Sequence, residues 1–165
     1  MPHPVRPNRH ARLLPAILAC VLIVACGGNP PPPATTTTAA VQSATLRTSD
    51  VTIRASAVPT TALAAAVASQ YGIERGDGSV LLLVAVRQGA EAQEVSVPAQ
   101  VSVTATGLFG QRRDVPMREL RSGELLDYVG TLEVSAPDTL RFEVRIVREG
   151  GQVSNLQFTR EFHPQ

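Results

Sequence analysis

"LRFEVRIVREGGQVSNLQFTREF", Leu140 to Phe162, decides the fold. Leu140, Phe142, Val144 and Ile146 alternate with Arg141, Glu143 and Arg145, the period of two that turns one face of a strand inward and the other to water. A second alternating run follows the glycines, and the loop length between them sets the register. A two-residue turn at Gly150 and Gly151 would oppose Phe142 to Thr159. A three-residue loop, Glu149 to Gly151 with Gly151 left-handed, opposes Val144 to Leu156 and Phe142 to Phe158 and keeps the apolar residues on one face. The three-residue loop is therefore expected. The same register turns Arg160 inward at the strand's end, as a rim residue rather than a buried charge.

Working outward, the same period recurs. Val51, Ile53, Ala55 and Ala57 form one inward set, Val97 to Ala105 a second, and Leu126, Tyr128, Leu132 and Val134 a third. "VLLLVAV", Val80 to Val86, is apolar on both faces and reads as a central strand. "DVPMREL", Asp114 to Leu120, is weaker, and Pro116, with no donor for a ladder bond, places it at an edge. "PTTALAAAVASQYGI" breaks the pattern: Thr60 is the expected helix cap, Leu63, Val67 and Tyr71 share a stripe, and Gly72 with Ile73 is the expected Schellman stop. Together these elements predict a mainly β domain over residues 45–165, an antiparallel immunoglobulin-like β-sandwich of about seven strands with one short helix.

Upstream of that domain the chain changes character. Arg6, Arg9 and Arg12 precede an apolar run from Leu13 to Ala25, the layout of a signal peptide over residues 1–25. Its thirteen residues fall short of the roughly 20 that cross a bilayer. Ile23, Val24, Ala25 and Cys26 resemble the lipobox of bacterial lipoproteins, which implies lipidation of Cys26; the alternative is ordinary cleavage near Ala25. Gly27, rather than Asp, follows the cysteine, and the lipoprotein resemblance then implies an outer-membrane anchor facing the periplasm. Residues 26–44 are rich in Pro and Thr, too poor in apolar side chains to fold, and predict a disordered tether of about 40 Å at about 3 Å per residue.

Composition excludes several functions. Past the leader 12 arginines face 14 acidic residues, a net charge of −2 without a basic stripe, so no nucleic-acid partner is expected. Both cysteines, Cys20 and Cys26, precede the domain, and His163 is the one histidine beyond the leader. These counts argue against a Cys and His zinc site, a disulfide framework and a histidine-based catalytic site, so neither enzymatic activity nor a cofactor or metal is expected. Glu74, Arg75 and Asp77 in "GIERGDGSV" offer too few carboxylates for a metal loop. Glu119 and Glu124 flank a turn and read as solvated.

"GLFGQRRD" sets Leu108 and Phe109 beside Arg112 and Arg113 in a loop between strands, the composition of an interface hot spot. The competing expectation, which apolar loop residues in small domains favour, is that Phe109 folds back to plug the open end of the core.

From "PTTALAAAVASQYGIERGDGSVLLLVAV" through "VSVTATGLFGQRRDVPMREL", "YVGTLEVS" and "LRFEVRI", the chain resembles the bacterial domain of unknown function 4426 over roughly Thr48 to Phe162. That resemblance implies an exported all-β protein and supplies no catalytic residues. The function expected is a membrane-tethered, non-enzymatic binding or accessory module of the cell envelope, with an envelope protein as its partner. The alternative is a periplasmic small-ligand binder or an enzyme whose site is assembled from scattered residues.

Overall fold

The computed structural model describes residues 43–164. Its strands are β1 (Ala44–Arg47), β2 (Val51–Pro59), β3 (Ser79–Gln88), β4 (Val95–Ser96), β5 (Ala99–Thr106), β6 (Arg112–Val115), β7 (Arg118–Ser122), β8 (Leu125–Glu133), β9 (Asp138–Arg148) and β10 (Val153–Phe162), with one helix, α1 (Ala65–Gln70). One sheet has the order β1-β2-β3-β8-β7 with β4 added to β3; the other has β10-β9-β5-β6. All pairings are antiparallel. This is the immunoglobulin-like sandwich expected, with ten strands among the described residues rather than about seven. The signal peptide, Cys26 and nearly all of the tether lie outside those residues.

The surplus strands have simple origins. β1 and β4 hold four and two residues, too few for a period to show. "DVPMREL" is two strands, because the chain leaves one sheet at Pro116 and joins the other at Arg118. Both halves are edge strands, as expected for this stretch, and Pro116 itself lies in the crossing between them.

The β9–β10 hairpin has the expected register, with Val144 opposite Leu156 and Phe142 opposite Phe158. The two rings stack with centroids 4.9 Å apart. Gly150 as well as Gly151 is left-handed, at φ 80° and 77°, a conformation that costs glycine little. Arg160 lies opposite Leu140 and is half-buried. Between the sheets, Ile53, Leu82, Val84, Val86, Leu140, Phe142 and Ile146 are fully buried. Tyr128 is in the same core and its hydroxyl accepts the Ala99 N–H at 2.7 Å. Burial pushes that phenol's pKa above its ordinary value.

β3 is apolar on both sides because both sides are covered. Leu81 packs with Ala68, Ile73 and Val129 in a second cluster on the outer face, where α1 lies. Ile73 donates to the Ala68 carbonyl at 2.8 Å and Gly72 to that of Ser69 at 3.2 Å, with Gly72 at φ 61°, which is the Schellman arrangement. Leu63 and Tyr71 pack against the cluster, whereas Val67 is 40 % exposed.

The expected cap at Thr60 is not made. The helix starts after Ala64 without a side-chain cap, and Thr60 is wholly buried. Its hydroxyl accepts from the Gly76 N–H at 3.0 Å and donates to the Gly76 carbonyl at 3.2 Å. A buried hydroxyl must be paired, and this one takes its partner from the 73–78 loop instead of the helix.

Ion pairs join elements distant in sequence. Arg87, nearly buried, binds the Asp127 carboxylate and donates to the Leu126 carbonyl at 2.9 Å. Arg54 grips Glu94 through both nitrogens at 2.8 Å, and Arg148 meets Asp50 at 2.5 Å. The arginine in each of these last two pairs holds its carboxylate's pKa below the ordinary value.

Candidate functional site

The ends of β2, β5, β8 and β10 and the start of β3 lie at one end of the sandwich. There the β5–β6 connection forms a tight hairpin. Gly107 donates to the Gln111 carbonyl and Gly110 to the Gly107 carbonyl, each at 3.0 Å, which leaves Leu108 and Phe109 at the two central turn positions. Gly110, at φ 79°, supplies the left-handed residue that follows.

Phe109 is 95 % exposed and Leu108 67 %. The expectation that Phe109 folds back into the core is therefore overturned: a two-residue apex held by its own backbone bonds points away from the body, and the core end closes without it. Central turn positions ordinarily favour Asn, Asp, Gly, Ser or Pro. Nothing in this turn's hydrogen bonding requires Leu and Phe.

Arg112 and Arg113 follow in the hairpin but diverge, since neighbours on a strand face opposite ways. Arg112 reaches the Glu143 carboxylate at 3.0 Å on the solvent face of its sheet. Arg113 donates to the Glu133 carbonyl at 2.8 Å and so ties the hairpin to the end of β8. The four residues singled out in sequence thus form one projection: an apolar apex with a guanidinium on each flank.

Beside this projection is a cleft that sequence reading missed, with a volume of about 560 Å³. The 72–77 loop forms one wall, the crossing at Pro116 and Met117 another, and the end of β8 the floor. Glu74, Asp77 and Glu133 border it. Its two arginines are committed to backbone: Arg75 donates to the Thr61 carbonyl at 2.8 Å and Arg118 to that of Tyr71 at 2.6 Å. No group of three metal-ligating side chains occurs among the described residues. Glu119 pairs with Arg121 at 3.0 Å away from the cleft, and His163 is exposed.

A single glycine makes this arrangement possible. A Cβ on Gly130 would stand 2.6 Å from the Pro116 carbonyl oxygen, 2.8 Å from Met117 Sδ and 2.9 Å from Val115 Cγ1. The chain changes sheets directly over Gly130. Glycine within a strand signals this kind of close approach, and it was the available clue to the crossing and the cleft.

The family described as Domain of unknown function (DUF4426) matches residues 46–165. The chain belongs to the DUF4426 family. A crystal structure of another DUF4426 protein, from Pseudomonas aeruginosa PAO1, superposes with a TM-score of 0.64 at 20 % identity, over 74 % of this chain and 96 % of that one. FetP from uropathogenic E. coli strain F11, recombinantly expressed in the periplasm of E. coli BL21(DE3), is similar at a TM-score of 0.52 and 9 % identity, over 75 % and 97 % of the two chains. At these identities both likenesses concern the fold alone. No curated protein matches the sequence.

Proposed function

We propose that this DUF4426 protein is a non-enzymatic binding or accessory module of the cell envelope. It is held at the outer membrane by lipid on Cys26, faces the periplasm, and meets an envelope protein through the cleft at the loop end of its sandwich. The observation that carries this reading is the loop end as a whole: beside a cleft of about 560 Å³, Leu108 and Phe109 stand in solvent at positions where the turn has no need of apolar side chains, which marks this end as the one that meets other envelope components. The cleft beside it offers the protein partner a concave surface anchored by the same hairpin through Arg113. The lipobox-like order ending at Cys26 supports the anchor, and the periplasmic expression of FetP, a protein of similar fold, supports the compartment.

A photoreactive residue at Thr131 or Glu74, both exposed on the cleft, tests the partner in cells. One recurrent envelope protein cross-linked from both positions is expected. Cross-linking from neither, under conditions that capture a known complex, sinks the partner. The alternative of a small ligand in the cleft is favoured by the cleft's volume, and native mass spectrometry of protein taken from the envelope would reveal it as a bound mass.

A further inference from the structure

We propose that the Leu108–Phe109 apex inserts into the membrane interface and gives the tethered domain a second, shallow foothold on the bilayer. The proposal rests on the tethered reading given above and adds to it the identity of what the apex touches.

Three observations point to lipid, rather than the protein that meets the cleft, as what the apex itself touches. First, the apex is two apolar side chains, far less than the roughly 800 Å² per partner that a stable protein interface buries. Second, the hairpin carries its chemistry in the order of an interfacial anchor. The apolar pair leads, and Arg112 follows at the first strand pair, two residue steps or about 7 Å back at some 3.3 Å per residue, within the 5–10 Å depth of interfacial burial. No acidic residue lies between Gly107 and Arg113, and Glu143, which pairs with Arg112 at 3.0 Å, is shared with Arg141 at 3.4 Å, so the flank keeps a net positive charge. Third, β1 runs antiparallel to β2, so its N-terminal end, Ala44, points toward the end that carries the apex. The proposed anchor adds to these: residues 26–44, expected to act as a tether, would keep the domain at an effective concentration near the bilayer where even a weak contact is occupied.

The chain contains no tryptophan, so Phe109→Trp creates a single indole reporter at the apex. The lipidated variant is reconstituted into vesicles of phosphatidylethanolamine and phosphatidylglycerol with brominated acyl chains. Flotation reports the anchor and quenching reports the apex. The expected result is that the protein floats and that its emission is blue-shifted and quenched. Trp placed at the exposed Val153, at the far end of the sandwich, stays unquenched. Leu108→Asp in the Phe109→Trp background, checked by circular dichroism to be folded, should reduce quenching roughly tenfold through lost partitioning.

A protein that floats with a water-exposed indole overturns the proposal while leaving the anchor standing. If the protein does not float, the tethered reading fails; the apex is then judged by adding the same vesicles to the soluble protein, and an unshifted emission overturns it. An indole that shifts only when an envelope protein is added, and never with vesicles, assigns the apex to a protein and equally overturns the proposal.

Discussion

Replacing Gly130 by alanine adds one methyl group at the place where the chain changes sheets. The added carbon would meet a backbone oxygen at 2.6 Å, the Met117 sulfur at 2.8 Å and a Val115 methyl at 2.9 Å, each well inside the 3.5–4.0 Å optimum between non-bonded carbons. The sulfur ends a flexible side chain and can move. The Pro116 carbonyl belongs to a rigid crossing, and Val115 is buried in the main core, so neither yields without shifting a strand. Overpacking of this kind costs about 1–3 kcal/mol, against a gain of about 0.5–1 kcal/mol from replacing glycine in a strand. With three close contacts at once, the upper part of that range applies and a net loss of about 2 kcal/mol is expected. Urea unfolding followed by far-ultraviolet circular dichroism should show a midpoint lower by roughly 1 M, with an unchanged slope, for an m-value near 2 kcal/mol/M. Adding Met117→Ala relieves one contact of three and should restore only a minor part of the loss. An unchanged midpoint for Gly130→Ala, or full rescue by Met117→Ala, would refute the argument that the crossing backbone sets the limit.

Phe109→Ser should alter stability by no more than about 0.5 kcal/mol in the same assay, while Phe142→Ala, which empties a fully buried site, should cost about 3–5 kcal/mol. Tyr128→Phe leaves the Ala99 N–H without its acceptor and should cost about 1–2 kcal/mol. Because Asp50 and Glu94 have lowered pKa values when folded, their contribution is present above the unfolded carboxylate values near pH 4 and is lost as pH falls through the folded ones. Melting temperature should therefore drop below about pH 4, less steeply in Asp50→Asn and in Arg54→Met. The raised Tyr128 pKa acts at the other extreme: stability should decline above about pH 10 as the unfolded phenol ionises first, and Tyr128→Phe should flatten that decline.

What the sequence reveals and what it hides divide by range. The last hairpin was legible because Phe142 and Phe158 make a single register productive, and the helix stop because Gly72 and Ile73 form a local motif. Thr60 misled because its partner, Gly76, lies in a loop whose path depends on tertiary packing. Phe109 misled because hydrophobicity alone argues for burial, whereas two backbone bonds between Gly107, Gly110 and Gln111 hold it outward. The cleft was hidden because its walls come from three separate segments, and its marker, Gly130, becomes meaningful only when Pro116 is seen to pass above it.

The crossing at Pro116 also bears on how the domain opens. Residues 112–115 hydrogen-bond to β5 in one layer and residues 118–122 to β8 in the other. One short thread is thus sewn into both. Prising β6 from its neighbour pulls, through two residues, on β7 across the core. A domain with no cysteine of its own thereby has a strap of ordinary peptide bonds between its layers, and its amide protons in β6 and β7 should exchange with solvent together, in one event, rather than leaf by leaf.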